Sequence, residues 1–230
     1  MGQYASYEAA RFYPAFNAMG DFIKETIKPK RVLDLGCAKG YLVDVLREKG
    51  IEAFGVDISK YAIEQGPDKI RPYLEVCDLN TENLPYPDNY FDCIICMGTL
   101  EYIANQQHAL EQITRTLAKG GILLMTTLDY VPDGDELRKY AKSKNKWIET
   151  FKALDFESDL ALGEAIFANY VKMIAEFEIK KALFHSDNDN MKKKIARLMY
   201  GLGAKPLMKQ YSFYQQKKSG YLMLAFRKTE

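Results

Sequence analysis

The sequence predicts an α/β protein with a mostly parallel β-sheet covered by helices on both faces. Short apolar runs rich in β-branched residues alternate with helical patterns between residues 31 and 127. Each run is apolar on both faces, which is typical of strands buried inside a parallel sheet with right-handed crossovers. The chain has 230 residues and 47% hydrophobic content, enough to bury one large core. We therefore expect a single domain over residues 1–230.

The predicted elements follow a regular order as far as residue 128. Apolar residues at helical spacing up to Ile27 predict one or two N-terminal helices within residues 1–30. Strands are then predicted at 31–35, 52–56, 72–76, 91–97 and 121–127, with helices between them at 40–49, 60–66 and 105–118. The last of these helices precedes Gly120 and Gly121, and glycine is common just past a helix C-terminus.

After residue 128 the alternation breaks down, and residues 133–175 have a largely helical pattern. We expect residues 129–175 and 186–218 to form helical cap insertions. Between them, the alternating pattern of residues 176–185 predicts a sixth strand, and an apolar run within 219–230 predicts a closing strand. If the sixth strand is parallel to the others, both insertions leave from the edge of the sheet where the parallel strands end.

Charge and cysteine content exclude several function classes. The 32 Lys and Arg nearly balance the 31 Asp and Glu, which argues against a nucleic acid or a membrane surface as the main partner. No apolar run is long enough for a transmembrane segment. The four cysteines favour a reduced, cytoplasmic protein. Cys93 and Cys96 lie three apart on a predicted strand, so they should point to opposite faces, and we expect neither a redox motif nor a metal site.

The segment DLGCAKG, residues 34–40, follows the first predicted strand. A nicotinamide-dinucleotide fingerprint needs glycines at relative positions 0, 2 and 5, and only Gly36 matches. The loop instead has an acid, Asp34, and a second glycine, Gly40. An acid would repel a pyrophosphate but suits a ligand with a cationic amino group and a sulfonium. Ala38, between the glycines, is tolerated if its φ angle is negative.

Two further acids follow the next predicted strands. Asp57 lies 21 residues after Gly36, at the spacing where a carboxylate commonly accepts hydrogen bonds from both ribose hydroxyls of an adenosine. Asp78 follows the third strand and could accept from an adenine amino group. An Asp at a strand end can also simply cap the next helix, and for Asp78 this alternative stays open. Together with Asp34, these acids mark the edge at which open α/β sheets bind ligands.

With these motifs the chain resembles the class I S-adenosylmethionine-dependent methyltransferases, especially the small-molecule branch that includes ubiquinone and menaquinone biosynthesis enzymes. The resemblance covers residues 31–128 well and residues 220–228 more weakly. It implies a Rossmann-like, seven-stranded sheet whose last strand is antiparallel. It also implies that residues 31–128 form the cofactor-binding core and that the cofactor is S-adenosyl-L-methionine.

The resemblance assigns cofactor-binding positions residue by residue. The matching residues are Asp34, Gly36, Cys37 and Gly40 around the methionine part, Asp57 and Ile58 at the ribose and adenine, Asp78 and Leu79 facing the adenine, and Met97 and Gly98 near the transferred methyl. In one position the chain departs from its relatives, which often have Leu-Glu-His where this sequence has Leu-Glu-Tyr. Tyr102 therefore replaces a histidine.

The sequence does not assign a catalytic residue. Methyl transfer from a sulfonium needs mainly alignment, and a base is required only for an acceptor that arrives protonated. The candidates near the ligand edge are Tyr102, His185 and Asp129. The other histidine, His108, is expected on the solvated surface of a helix.

The acceptor is indicated only in outline. Residues 186–218 hold eight basic and two acidic residues, with apolar residues on one face of a predicted helix. Our first hypothesis is a methyltransferase acting on a small molecule, anionic or aromatic, with this basic helix as a cap. RNA methylation through the basic insertion and a non-catalytic S-adenosylmethionine-binding protein are the alternatives. The acceptor atom, the oligomeric state and the pathway are not indicated.

Overall fold

The computed structural model describes residues 9–128, 139–184 and 221–229. The helices are α1 (Ala9–Thr26), α2 (Tyr41–Glu48), α3 (Lys60–Glu64), α4 (Gln106–Thr116), α5 (Lys144–Lys152) and α6 (Leu160–Phe184). The strands are β1 (Arg31–Leu35), β2 (Glu52–Asp57), β3 (Leu74–Val76), β4 (Phe91–Cys96), β5 (Leu117–Leu128), β6 (Phe156–Ser158) and β7 (Tyr221–Lys228). Short 3-10 helices span Asp68–Tyr73 and Leu100–Tyr102.

The strands form one seven-stranded sheet in the order β3-β2-β1-β4-β5-β7-β6. Strands β1 to β5 are parallel, and β7 runs antiparallel to both of its neighbours. At the end of β1, Asp34 pairs with Gly55 on one side and Ile95 on the other. The predicted Rossmann-like sheet with an antiparallel last strand is confirmed. Its carboxyl edge, where β1 to β5 end, collects the acids that the sequence singled out.

Each face of the sheet carries its own buried core. One core joins the sheet to α1, α2 and α6, and the other joins it to α4 and α5. Cys93 belongs to the first core and Cys96 to the second, so the prediction that they point to opposite faces is confirmed. None of the described helices is long and apolar enough to cross a membrane.

A single helix, α1, precedes the sheet within the described residues. It buries Phe16, Met19 and Ile23 against the first core. Near its start, the Tyr13 hydroxyl donates to Asp44 Oδ2 on α2 over 2.5 Å. Asp44 is buried and also pairs with Lys69, 2.8 Å from Oδ1 to Nζ. The helix is thus attached to α2 by a partly buried hydrogen bond as well as by apolar packing.

The prediction of a sixth strand at residues 176–185 is wrong. Residues 176–184 belong to α6, and the sixth strand is β6, inside the segment predicted to be helical. Three residues are too few to show an alternating pattern, and pairing with β7 forms this strand. Helix α6 lies close to β7 at Gly163, where a Cβ would stand 2.5 Å from the carbonyl oxygen of Met223.

Two strand boundaries also differ from prediction. A 3-10 helix runs to Tyr73, so β3 begins at Leu74 rather than at residue 72. Strand β5 begins at Leu117, which the sequence placed in the preceding helix, because Leu117 pairs with Phe91 at the start of β4. The basic insertion at 186–218 lies outside the described residues.

Candidate functional site

The glycine loop between β1 and α2 uses its backbone N–H groups inside the protein. The N–H groups of Gly36 and Cys37 both donate to the carbonyl of Val56, over 2.8 and 3.0 Å. Ala38 N donates to Asp57 Oδ2 over 2.8 Å, and Gly40 N donates to the carbonyl of Cys37, also over 2.8 Å. A phosphate-binding loop directs such groups at the anion. These four donors are engaged elsewhere, which argues against a dinucleotide site.

The loop alternates in and out of the left-handed region. The φ angles of Gly36, Ala38 and Gly40 are 83°, 50° and 72°. The condition under which Ala38 would be tolerated without strain, a negative φ, is therefore not met. Its N–H is held by Asp57, and this bond fixes Ala38 in a conformation that costs an L-residue about 1–2 kcal/mol.

Thr99 is a site residue that sequence reasoning missed. Its hydroxyl donates to the carbonyl of Leu35 over 3.0 Å, joining the segment after β4 to the end of β1. A Cβ on Gly36 would stand 2.0 Å from Thr99 Oγ1. The neighbouring Gly98 donates its N–H to Thr126 Oγ1 on β5 over 2.8 Å. The polar hydroxyl directly after Gly98 was the available signal in the sequence.

Asp34 is a buried acid at the end of β1. Burial, assisted by the negative charge of Asp57, raises its pKa from 3.8 to about 8. None of the described residues donates a hydrogen bond to its carboxylate. A buried carboxylate of this kind is stabilised in its charged form by a nearby cation. The arrangement fits a ligand with a cationic amino group and does not fit a pyrophosphate.

Asp57 holds the glycine loop in place. Its two oxygens accept the N–H groups of Ala38 and Ser59, each over 2.8 Å. A carboxylate oxygen can accept more than one hydrogen bond. The next side chain, Ile58, is 61% exposed. A ribose diol at Asp57, with the face of an adenine ring against the apolar side chain of Ile58, fits this pair of residues.

Asp78 closes a tight turn after β3. Its Oδ1 accepts both the backbone and the side-chain N–H groups of Asn80, over 2.9 and 2.8 Å. These hydrogen bonds lower the pKa of Asp78. The turn is not the start of a helix, so the capping alternative is wrong. Leu79 is buried, which leaves its backbone as the part that could meet a ligand.

Cys37 packs between the glycine loop and β2. Its side chain is buried against β2, where a Cβ on Gly55 would stand 2.8 Å from Cys37 Sγ. Burial and the nearby acids raise the pKa of its thiol well above its usual range. The thiol therefore stays protonated, and its contribution to the site is to shape the loop.

The residues predicted to lie near the transferred methyl group follow β4. Met97 is half-buried and Tyr102 is 44% exposed on the 3-10 helix. His108 is half-buried, and its Nε2 lies 3.0 Å from the carbonyl oxygen of Glu82 in a contact exposed to solvent. Of the other candidates for catalysis, Asp129 and His185 lie outside the described residues.

Comparison with known proteins decides the family. A family model described as a methyltransferase domain matches residues 4–161. The chain belongs to this family. The methyltransferase is 35% identical over 105 residues to a ubiquinone/menaquinone biosynthesis C-methyltransferase of Vibrio cholerae, covering 42% of this chain and 40% of that protein. It is 32% identical over 131 residues to a tRNA U34 carboxymethyltransferase of Syntrophotalea carbinolica, covering 52% and 40%. It thus spans about 40% of the length of these relatives.

The solved structures agree on the fold. Phosphoethanolamine N-methyltransferase 2 of Haemonchus contortus, solved with S-adenosyl-L-methionine, superposes with a TM-score of 0.62 at 17% identity, covering 100% of this chain and 58% of that one. The resemblance to class I S-adenosylmethionine-dependent methyltransferases and the choice of cofactor are both confirmed.

Proposed function

We propose that this methyltransferase moves a methyl group from S-adenosyl-L-methionine to a small-molecule acceptor that carries an anionic group. The observation that supports the cofactor side is the chemistry of the glycine loop. Its N–H groups are consumed internally, while the carboxylates of Asp34 and Asp57 remain at the carboxyl edge. This is a site for a cationic ligand.

Different residues at the carboxyl edge of the sheet would bind different parts of the cofactor. Asp34 would hold the cationic amino group, and Asp57 the two ribose hydroxyls. The adenine would lie on Ile58, with its amino group at the carboxylate of Asp78. The bound cofactor supplies an electrophilic methyl on a sulfonium. The protein then aligns the acceptor with that methyl and excludes water.

Lysines support the anionic character of the acceptor. Four of them lie within eight residues of the segment that follows β5 and begins α5: Lys139, Lys142, Lys144 and Lys146. Lys142 is half-buried, and burial together with Lys146 lowers its pKa. Within the described residues, Lys142 forms no ion pair, and its Nζ lies 4.6 Å from the Trp147 ring centroid. An anionic group near Lys142 would compensate this charge.

Hydrogen bonds hold residues 139–146 beside the segment after β4 that contains the 3-10 helix Leu100–Tyr102. Thr127, near the end of β5, donates its hydroxyl to the carbonyl of Lys142 over 3.0 Å. Gln106 Nε2 donates to the carbonyls of Leu100 and Tyr140, over 2.8 and 2.7 Å. The lysines are therefore carried next to the 3-10 helix that bears Tyr102, which is where an acceptor would approach.

The cofactor assignment can be tested by calorimetry with three ligands. S-adenosylmethionine and S-adenosylhomocysteine should bind and NAD should not. Asp34→Asn should weaken S-adenosylmethionine binding by about tenfold or more, because a charge-assisted hydrogen bond is lost. Absence of binding by both adenosyl ligands would overturn the proposal.

The acceptor class can be tested by following S-adenosylhomocysteine formation with pairs of small acceptors that differ by one carboxylate or phosphate. The charged member should react faster, and Lys142→Met should remove this preference. Lys119→Met, an exposed lysine at the other end of β5, is the matched control and should keep it. Equal rates for both members would contradict an anionic acceptor. Cofactor binding without turnover on any acceptor would favour a non-catalytic binding protein.

RNA is the second candidate acceptor. It is supported by the tRNA-modifying relative and by the local excess of lysine. This function predicts that transfer RNA binds with an affinity that falls steeply as salt rises, since phosphate contacts release counterions. Weak, salt-insensitive binding would remove it.

A further inference from the structure

The turn after β3 is docked onto the start of α4. Asn80 Oδ1 accepts the backbone N–H groups of Ala104 and Asn105, over 2.9 and 3.2 Å. Asn105 in turn donates its side-chain amide to the carbonyl of Asn80 over 3.0 Å. Asn105 is also the N-cap of α4, accepting the N–H of His108. One side chain therefore holds the two backbone groups at which the 3-10 helix passes into α4.

The other end of the same side chain holds the adenine-side acid. Asn80 Nδ2 donates to Asp78 Oδ1 over 2.8 Å, and Asn80 N donates to the same oxygen over 2.9 Å. The amide of Asn80 thus uses its nitrogen toward Asp78 and its oxygen toward Ala104 and Asn105. An asparagine is suited to this position because its amide combines donors and an acceptor.

We propose that Asn80 is a positioning residue that couples occupancy of the adenine end of the site to the 3-10 helix carrying Tyr102. The carboxylate of Asp78 also interacts with the side chain of Thr81, and adenine that engages this carboxylate restrains its orientation further. The carboxylate fixes the amide of Asn80, and the amide fixes the segment from Tyr102 to Asn105. Binding of the adenine end of the cofactor thereby orders the segment from Tyr102 to Asn105, on the acceptor side of the site. This inference rests on the proposed function, because it requires the adenosyl ligand to bind at this edge.

A second link between the same two elements provides a matched control. His108 Nε2 lies 3.0 Å from the carbonyl of Glu82, so His108 also joins the turn after β3 to α4. It is linked to Asp78 only through Glu82, which bonds the backbone of Asp78 and not its carboxylate. If Asn80 acts merely as an attachment between turn and helix, substitutions of Asn80 and His108 should have the same consequences.

The test is amide hydrogen exchange with and without S-adenosylhomocysteine, following the segments 36–40 and 100–105. In the parent protein both segments should gain protection. In Asn80→Ala, the loop 36–40 should still gain protection, whereas 100–105 should exchange as in the ligand-free protein. The affinity should fall by about two- to tenfold, as expected for a lost neutral hydrogen bond. His108→Ala should keep ligand-induced protection in both segments.

Asn80→Asp separates coupling from docking. An aspartate can still accept the N–H groups of Ala104 and Asn105 but cannot donate to Asp78, and its charge repels the Asp78 carboxylate. Loss of the ligand-induced protection at 100–105, with protection at 36–40 retained, would support coupling through the amide. Unchanged protection at 100–105 in both Asn80 variants would overturn the inference. No protection at 36–40 in the parent protein would instead overturn the proposed function.

Discussion

The backbone N–H of Ala38 donates to Asp57 Oδ2 over 2.8 Å, so the acid at the end of β2 supports the glycine loop as well as facing the ligand edge. Asp57→Ala leaves this buried N–H without an acceptor. We expect the free energy of unfolding to fall by about 1–3 kcal/mol and S-adenosylhomocysteine binding to be lost. Denaturant unfolding and calorimetry measure the two effects.

Asp159→Ala is the control for that substitution. Asp159 also accepts a backbone N–H, from Leu162 at the start of α6, but it lies far from the glycine loop in the fold. It should lose about 1 kcal/mol of stability and keep ligand affinity. Equal loss of affinity in both variants would show that Asp57 acts through stability alone.

The left-handed conformation of Ala38 predicts a stabilising substitution. Ala38→Gly removes a conformational cost of about 1–2 kcal/mol and adds about 0.4–1 kcal/mol of unfolded-state entropy. The free energy of unfolding should therefore rise by up to about 1.6 kcal/mol. Lys28→Gly, an exposed residue with φ of 55°, should give a similar gain. A loss of stability in Ala38→Gly alone would mean that its methyl group contributes packing that outweighs the strain.

Gly36 combines a positive φ with a close contact, and the two effects can be separated. Gly36→Ala would bring a methyl group against Thr99 Oγ1, and we expect a loss of about 2–4 kcal/mol. Gly50 has a φ of 81°, and a Cβ at this position would have nothing within 4 Å, so Gly50→Ala should cost only about 1 kcal/mol. The difference, measured by denaturant unfolding, is the steric contribution of Thr99. Equal losses would mean that the loop can move away from Thr99.

The raised pKa of Asp34 predicts two pH dependences. Between about pH 4 and 8 the folded protein holds a proton on Asp34 that the unfolded chain releases. The stability of the ligand-free protein should therefore fall as pH rises through this range, and Asp34→Asn should remove that fall. A cationic ligand favours the ionised acid, so binding at pH 7 should release a proton. Calorimetry in two buffers of different ionisation enthalpy detects this release, and buffer-independent heats would contradict the assignment.

Much of the sheet was predictable because parallel strands buried on both faces leave a strong pattern. The strand ends at Asp34, Asp57 and Asp78 were found from the same pattern, since each acid lies at the end of an apolar run. Strand β6 was not found, because a three-residue edge strand forms by pairing with β7 and has no periodicity of its own.

The charged residues of the site were predictable from the sequence, but the hydrogen bonds between its elements were not. The sequence indicated which acids lie at the carboxyl edge, but not that Asp57 binds Ala38 or that Thr99 reaches Leu35. For the same reason, the sequence did not indicate the positive φ angle of Ala38. A hydrogen bond between residues 19 apart, on different elements, determines that angle.

By itself, the sequence determined the parallel strands between residues 31 and 128 and the family, and it predicted a cationic adenosyl ligand rather than a dinucleotide. Those properties follow from local patterns of burial and charge that can be recognised in the linear sequence. The tertiary structure decided which backbone groups of the loop are consumed, the role of Thr99, and the link from Asp78 through Asn80 to the start of α4. These depend on distances between elements remote in sequence, which packing of the sheet and its helices fixes.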